Sequence, residues 1–119
     1  MAEILIADDE EDILELLTFA LEKKGHNIST VTDGGIVIDE LKKKKYELVI
    51  MDIMMPNLDG FNIALNLSKD EELRNIPVIM ISALKPAKDL FEKFSQVKGF
   101  FTKPFETDLL VLKVDEILN

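Results

Sequence analysis

Residues 48–60 read Leu48-Val49-Ile50-Met51-Asp52-Ile53-Met54-Met55-Pro56-Asn57-Leu58-Asp59-Gly60. Four apolar residues that end at a carboxylate describe a strand buried on both faces, and the Pro-Asn and Asp-Gly steps that follow describe a loop and a helix start. Asp59 is the expected N-cap of this third helix, which carries Phe61, Ile63, Ala64 and Leu67 as apolar positions.

The same strand-to-helix alternation extends in both directions. Upstream, Ile4-Leu5-Ile6-Ala7 is a first buried strand. Ile13, Leu16, Leu17, Ala20 and Leu21 then recur at helical spacing from about Glu11 to Lys24, and Gly25 suits the cap. A second strand is expected over Asn27 to Val31, and a second helix from about Gly35 to Lys44 with Ile36, Ile38 and Leu41 as apolar positions. Downstream, Pro77 precedes a fourth strand, Val78-Ile79-Met80-Ile81-Ser82. A fourth helix from about Pro86 to Gln96 places Ala87, Leu90, Phe91 and Phe94 on one stripe, and Phe100-Phe101 forms a short fifth strand. The closing helix, Glu106 to Leu118, has Leu110, Val111, Val114, Ile117 and Leu118 on one face, leaving Leu109 and Leu112 outside it as a candidate partner contact. The expected fold is α/β, a doubly wound five-stranded parallel sheet with five helices, in a single domain spanning residues 1–119.

Bulk properties narrow the function. The net charge of −9 argues against direct binding to nucleic acid or an anionic membrane, because both need a basic face. The basic run Lys42 to Lys45 is read as the end of the second helix, where cations complement the dipole. No apolar run approaches the roughly 20 residues of a membrane span, and the N-terminus reads straight into a strand without a secretory signal. The chain has no cysteine, which excludes disulfides and thiolate chemistry and fits a cytoplasmic location. His26 stands alone and is expected at the surface; Met51, Met54, Met55 and Met80 are read as packing residues.

Right-handed crossovers put every loop that follows a strand at one edge of a parallel sheet, the edge where such sheets hold ligands. Asp8-Asp9, Asp52, Ser82 and Lys103 therefore converge from four loops. Three carboxylates this close repel one another, by about 4 kcal/mol per pair at 4 Å and an effective dielectric near 20. A hard divalent cation offsets that, and Mg²⁺ takes one or two carboxylates, a carbonyl and several waters. Asp9 and Asp52 are the expected direct ligands, Asp8 reaches the metal directly or through water, and the backbone carbonyl of Met54 completes the protein share.

The ordered set Asp8-Asp9, Asp52 with Met55-Pro56 and Asp59-Gly60, Ser82-Ala83, and Lys103-Pro104-Phe105 resembles the receiver domain of two-component response regulators over essentially the whole chain. The resemblance implies the strand order 2-1-3-4-5 and phosphoryl transfer to Asp52 from a histidine of a sensor kinase or phosphotransfer protein. It also implies Mg²⁺ as the cofactor, Lys103 and Ser82 as partners of phosphoryl oxygens, and a cis Lys103-Pro104 peptide. Ser82 and Phe100 match the family's switch positions. The surface of the fourth helix, fifth strand and closing helix would then bind a downstream protein or output domain, or a second copy in a phosphorylation-dependent homodimer.

The chain departs from the family at Gln96-Val97-Lys98-Gly99, where Gly-Ala is frequent, and at Phe100, often tyrosine. Met54 and Leu84 occupy positions that influence hydrolysis of the aspartyl phosphate, and neither can orient water, so a long-lived phosphoryl group is expected. A Mg²⁺-dependent aspartyl-phosphate phosphatase or phosphotransferase is the competing reading, against which stands Met54, two residues after the nucleophile, where such enzymes place an acid. A nucleotide or flavin binder ranks last, because Asp8-Asp9-Glu10-Glu11-Asp12 replaces the Gly-rich phosphate loop.

Overall fold

A computed structural model of the chain describes residues 1–83, 92 and 94–119. The buried runs form five strands, β1 Glu3–Ala7, β2 Asn27–Val31, β3 Leu48–Asp52, β4 Val78–Ser82 and β5 Val97–Thr102. They pair in parallel in the order β2-β1-β3-β4-β5, as the resemblance implied. Among the described residues four α-helices flank the sheet: α1 Glu11–Glu22, α2 Val37–Lys43, α3 Gly60–Lys69 and a C-terminal helix Thr107–Leu118. Most of the expected fourth helix, with Ala87, Leu90 and Phe91, lies outside the described residues, as does Leu84; Phe94 and Gln96 at its end are described and buried.

Strand periodicity divides the core in two. Ile4, Ile6, Leu48, Ile50, Ile79 and Ile81 point to the face covered by α1 and the C-terminal helix. Their neighbours Leu5, Ala7, Val49, Met51, Val78 and Met80 point to the face covered by α2 and α3. β1, β3 and β4 are apolar at nearly every position because both of their faces are covered.

The helices differ from expectation in phase. Leu14, Leu17 and Leu21 are the buried positions of α1, while Leu16 is 44% exposed, because the inward stripe is centred on Leu14, Leu17 and Leu21 and rotated away from Leu16. A 3-10 turn over Gly34–Ile36 precedes α2 and rotates Val37 inward and Ile36 outward. On the C-terminal helix Leu110, Val111 and Val114 are buried, Ile117 and Leu118 are half-buried, and Leu109 and Leu112 are exposed as expected.

β5 is longer than the expected Phe100-Phe101. Val97 pairs with Val78 and Gly99 with Ile79, so Lys98 is an extra residue, a bulge that hides the alternation. The Gln96 side chain fixes the strand's start: its Nε2 donates to the carbonyls of Leu73 and Ile76.

Two glycines allow the loops at the carboxyl edge to interlock. A Cβ on Gly34 would lie 1.8 Å from the carbonyl oxygen of Leu58, and one on Gly60 would lie 2.7 Å from Cα of Ile53. Gly34 N–H donates to the Pro56 carbonyl, Gly60 N–H donates to that of Ile53, and Asp33 accepts from the Asn57 side chain, with Asn57 in the left-handed region at φ 72°. Gly34→Ala is expected to destabilise the chain by about 1–3 kcal/mol, as overpacking against backbone does. Urea unfolding checks this through a lowered midpoint at unchanged slope.

Candidate functional site

The register decides which carboxylates meet. Ala7 lies opposite Met51 on the adjacent strand, so the next residues, Asp8 and Asp52, sit side by side at the carboxyl edge. Both share the parity of Ile6 and Ile50 and turn toward α1 and the C-terminal helix. Asp8 is fully buried and Asp52 is 5% exposed.

Each acid is fixed by its own loop. Oδ1 of Asp8 accepts from the Glu10 N–H, and Oδ1 of Asp52 accepts from the Met54 N–H. The remaining oxygens face one cation. Nζ of Lys103 donates to Oδ2 of Asp52 at 2.9 Å and lies 3.0 Å from Oδ2 of Asp8. Among the described residues no donor reaches that Asp8 oxygen with hydrogen-bond geometry, and the ammonium beside it holds it by charge. Nζ also pairs with Oε2 of Glu10.

Lys103 is placed from below by its own backbone, whose N–H donates to the Ser82 carbonyl at 2.7 Å, and the Lys103-Pro104 peptide is cis as expected. Ser82 ends β4, fully buried. Phe100 is half-buried against the α2–α3 side of the core.

Electrostatics follow from burial and pairing. Burial raises the Asp8 carboxyl above the usual aspartate range, against the Glu10 N–H and the Lys103 ammonium, which both lower it. Burial alone would lower the Lys103 ammonium, but its pairing with Glu10, Asp52 and Asp8 prevails and raises it. The lysine is therefore a permanent cation at neutral pH.

A cavity of about 590 Å³ opens over these groups, with Asp9, Glu10, Asp52 and Lys103 on its polar side and Ile13, Leu16, Met54, Pro104 and Phe105 on its apolar side. Asp8, Glu10 and Asp52 each bring a carboxylate oxygen within 4.8 Å of the others. Asp9, expected as a direct ligand, is exposed on the cavity wall and stands outside that group. The chain bends at Asp9, and the Glu10 N–H closes back on Asp8 Oδ1, which carries Glu10 over Asp8 and leaves Asp9 on the outside of the bend. Glu10 was not singled out from the sequence. Nothing in the sequence separates it from its acidic neighbours; in the structure it is the N-cap residue of α1, yet its side chain makes no capping bond and reaches Lys103 instead.

Met54 is 55% exposed, unlike the buried Met51, Met55 and Met80, so it is a surface residue of the site and not a packing one. His26 is half-buried and its Nδ1 accepts from the Ala2 N–H, which gives it a structural partner. No described helix is long and apolar enough to cross a membrane.

Comparison with known proteins converges on one family. The profile of the response regulator receiver domain matches residues 4–115. Protein PilH of Pseudomonas aeruginosa is 34% identical over 119 residues, covering 99% of this chain and 98% of PilH. The DNA-binding dual master transcriptional regulator RpaA of Synechocystis is 32% identical over 100% of this chain, which spans half of RpaA. Among solved structures, response regulator TrrA of Thermotoga maritima in complex with Mg²⁺-BeF superimposes with a TM-score of 0.85 at 30% identity, over 98% of this chain and 99% of that one. Chemotaxis response regulator CheY4 of Vibrio cholerae, at 22% identity with 98% of each chain covered, shares the fold with a TM-score of 0.89. A five-stranded parallel sheet that buries two aspartates beside a lysine at its carboxyl edge, matched by that profile over most of its length, makes this chain a member of the response regulator receiver domain family.

Proposed function

We propose that this chain is the phosphoryl acceptor of a His-to-Asp phosphorelay. The observation that carries the reading is the buried Asp8–Asp52 pair compensated by a single lysine under an open cavity. An oxygen of Asp52 attacks phosphorus, the P–N bond of a donor phosphohistidine breaks, and the imidazole leaves. One phosphoryl group is taken up per chain, and beyond this self-phosphorylation and its hydrolysis the protein is not an enzyme. The donor is a sensor histidine kinase or histidine phosphotransfer protein, and the setting is cytoplasmic.

The residues fit Mg²⁺. Hard oxygen donors cluster at one point, and the charge-held oxygen of Asp8 is an acceptor lacking a directed donor. Asp8, Asp52 and the Met54 carbonyl would hold the ion, with Asp9 joining from the cavity wall, consistent with TrrA, which is solved with Mg²⁺-BeF. When bound, it neutralises charge on the carboxylates and on an incoming phosphoryl group. Lys103 is already aimed at Asp52 and would follow the phosphoryl oxygens, while Ser82 would bind another of them. Withdrawal of Ser82 toward the new charge would let Phe100 repack. The altered surface would be β5, the C-terminal helix with exposed Leu109 and Leu112, and the segment between β4 and β5, offered to a downstream protein, an output domain or a second copy.

Three outcomes are expected. Incubation with acetyl phosphate and Mg²⁺ should give one phosphoryl adduct by intact mass, lost in Asp52→Asn; an adduct of equal yield in that variant would overturn the assignment. With Met54 exposed at the site and unable to orient water, the adduct should persist for minutes or longer in Mg²⁺ buffer, and loss within seconds would contradict this. Asp8 binds its proton more tightly folded than unfolded, so its contribution to metal-free stability is present at low pH. It is lost as pH rises from about 3.9 through the raised folded value. In EDTA, Asp8→Asn should therefore melt above the wild type by a margin that widens across this window, and saturating Mg²⁺ should shrink or reverse the margin.

A further inference from the structure

The Lys103 ammonium sits among three acids of unequal character. The side chains of Asp8 and Asp52 are 0% and 7% exposed, whereas that of Glu10 is 58% exposed and reaches Nζ from the rim of the cavity. Asp8 Oδ2 is buried, aimed at the same point and without a directed donor. The lysine thus occupies the position where these carboxylates would hold a divalent cation, and the two charges repel. Of the three acids paired with the ammonium, Glu10 alone is solvent-exposed, so it is the one that can draw the lysine toward the rim. Glu10 is free for this role, since its backbone is fixed by Asp8 Oδ1 and its side chain caps nothing.

We propose that Glu10 is a positioning residue that holds the Lys103 ammonium at the cavity rim while Mg²⁺ occupies the Asp8–Asp52 carboxylates. The proposal rests on the metal-dependent reading above. Glu10 lets lysine and metal share one pocket despite their like charge, and it keeps the lysine within reach of an arriving phosphoryl oxygen. The role is specific to the Glu10–Lys103 pair and differs from a general contribution of negative charge.

Calorimetric titration of the unphosphorylated chain with Mg²⁺ separates these. Glu10→Gln should weaken Mg²⁺ binding about tenfold, and Glu11→Gln, the same charge change one residue away, less than twofold. In a Lys103→Met background, Glu10→Gln should lose its effect and change binding less than twofold. Binding by Glu10→Gln within twofold of wild type, or an equal weakening with and without Lys103, would overturn the proposal. Wild-type protein that binds no Mg²⁺ would overturn both the proposal and the reading beneath it. Should Lys103→Met not fold, the Lys103 Nζ resonance under saturating Mg²⁺ decides: it should stay slowly exchanging in wild type and broaden in Glu10→Gln, and broadening in both would refute the role.

Discussion

Two carboxylates buried side by side on adjacent strands impose an electrostatic condition on the chain around them. At the separation seen here, Asp8 and Asp52 repel by about 3–4 kcal/mol at an effective dielectric near 20, and burial adds a further cost for each charge. Lys103 meets that condition from a third loop, anchored through its backbone to Ser82 on the strand next to β3. Three separate stretches of sequence, far apart along the chain, are thus coupled through one ammonium. Any event that adds or removes charge at Asp52 alters the balance for all of them.

The scaffold is arranged so that this balance is local. The interlocked glycines tie the loop after β3 to both the β2–α2 turn and the start of α3, and the two-sided core holds β1 and β3 in register. Register matters more than any single contact, since a slip of one residue would exchange the faces of β3 and turn Asp52 away from Asp8.

Much of this was legible in the sequence. Continuous apolar runs ending in polar residues place Asp8, Asp52 and Ser82 at one edge, because every strand of a parallel sheet ends at the same edge. Helix phase was less legible. Leu16 and Leu14 differ by two positions on a helix that is apolar on more than one side, and only the packing partner distinguishes them. The displacement of Ile36 by Val37 comes from a 3-10 turn, whose period is shorter than the pattern used to read it. Glu10 was hidden by its neighbours: in a run of five acids, composition cannot say which one bends back over the site.

The bulge at Lys98 acts as a phase setter for the end of the chain. Because β5 takes up one extra residue opposite Val78 and Ile79, Phe100 joins the α2–α3 core and Phe101 the opposite one, and Lys103 follows in step. Without the bulge Lys98 would pair with Ile79, and every later residue would turn to the opposite face, exchanging the two rings and carrying the lysine off its acids. Room for one surplus residue at the start of the strand thus protects the charge at its other end.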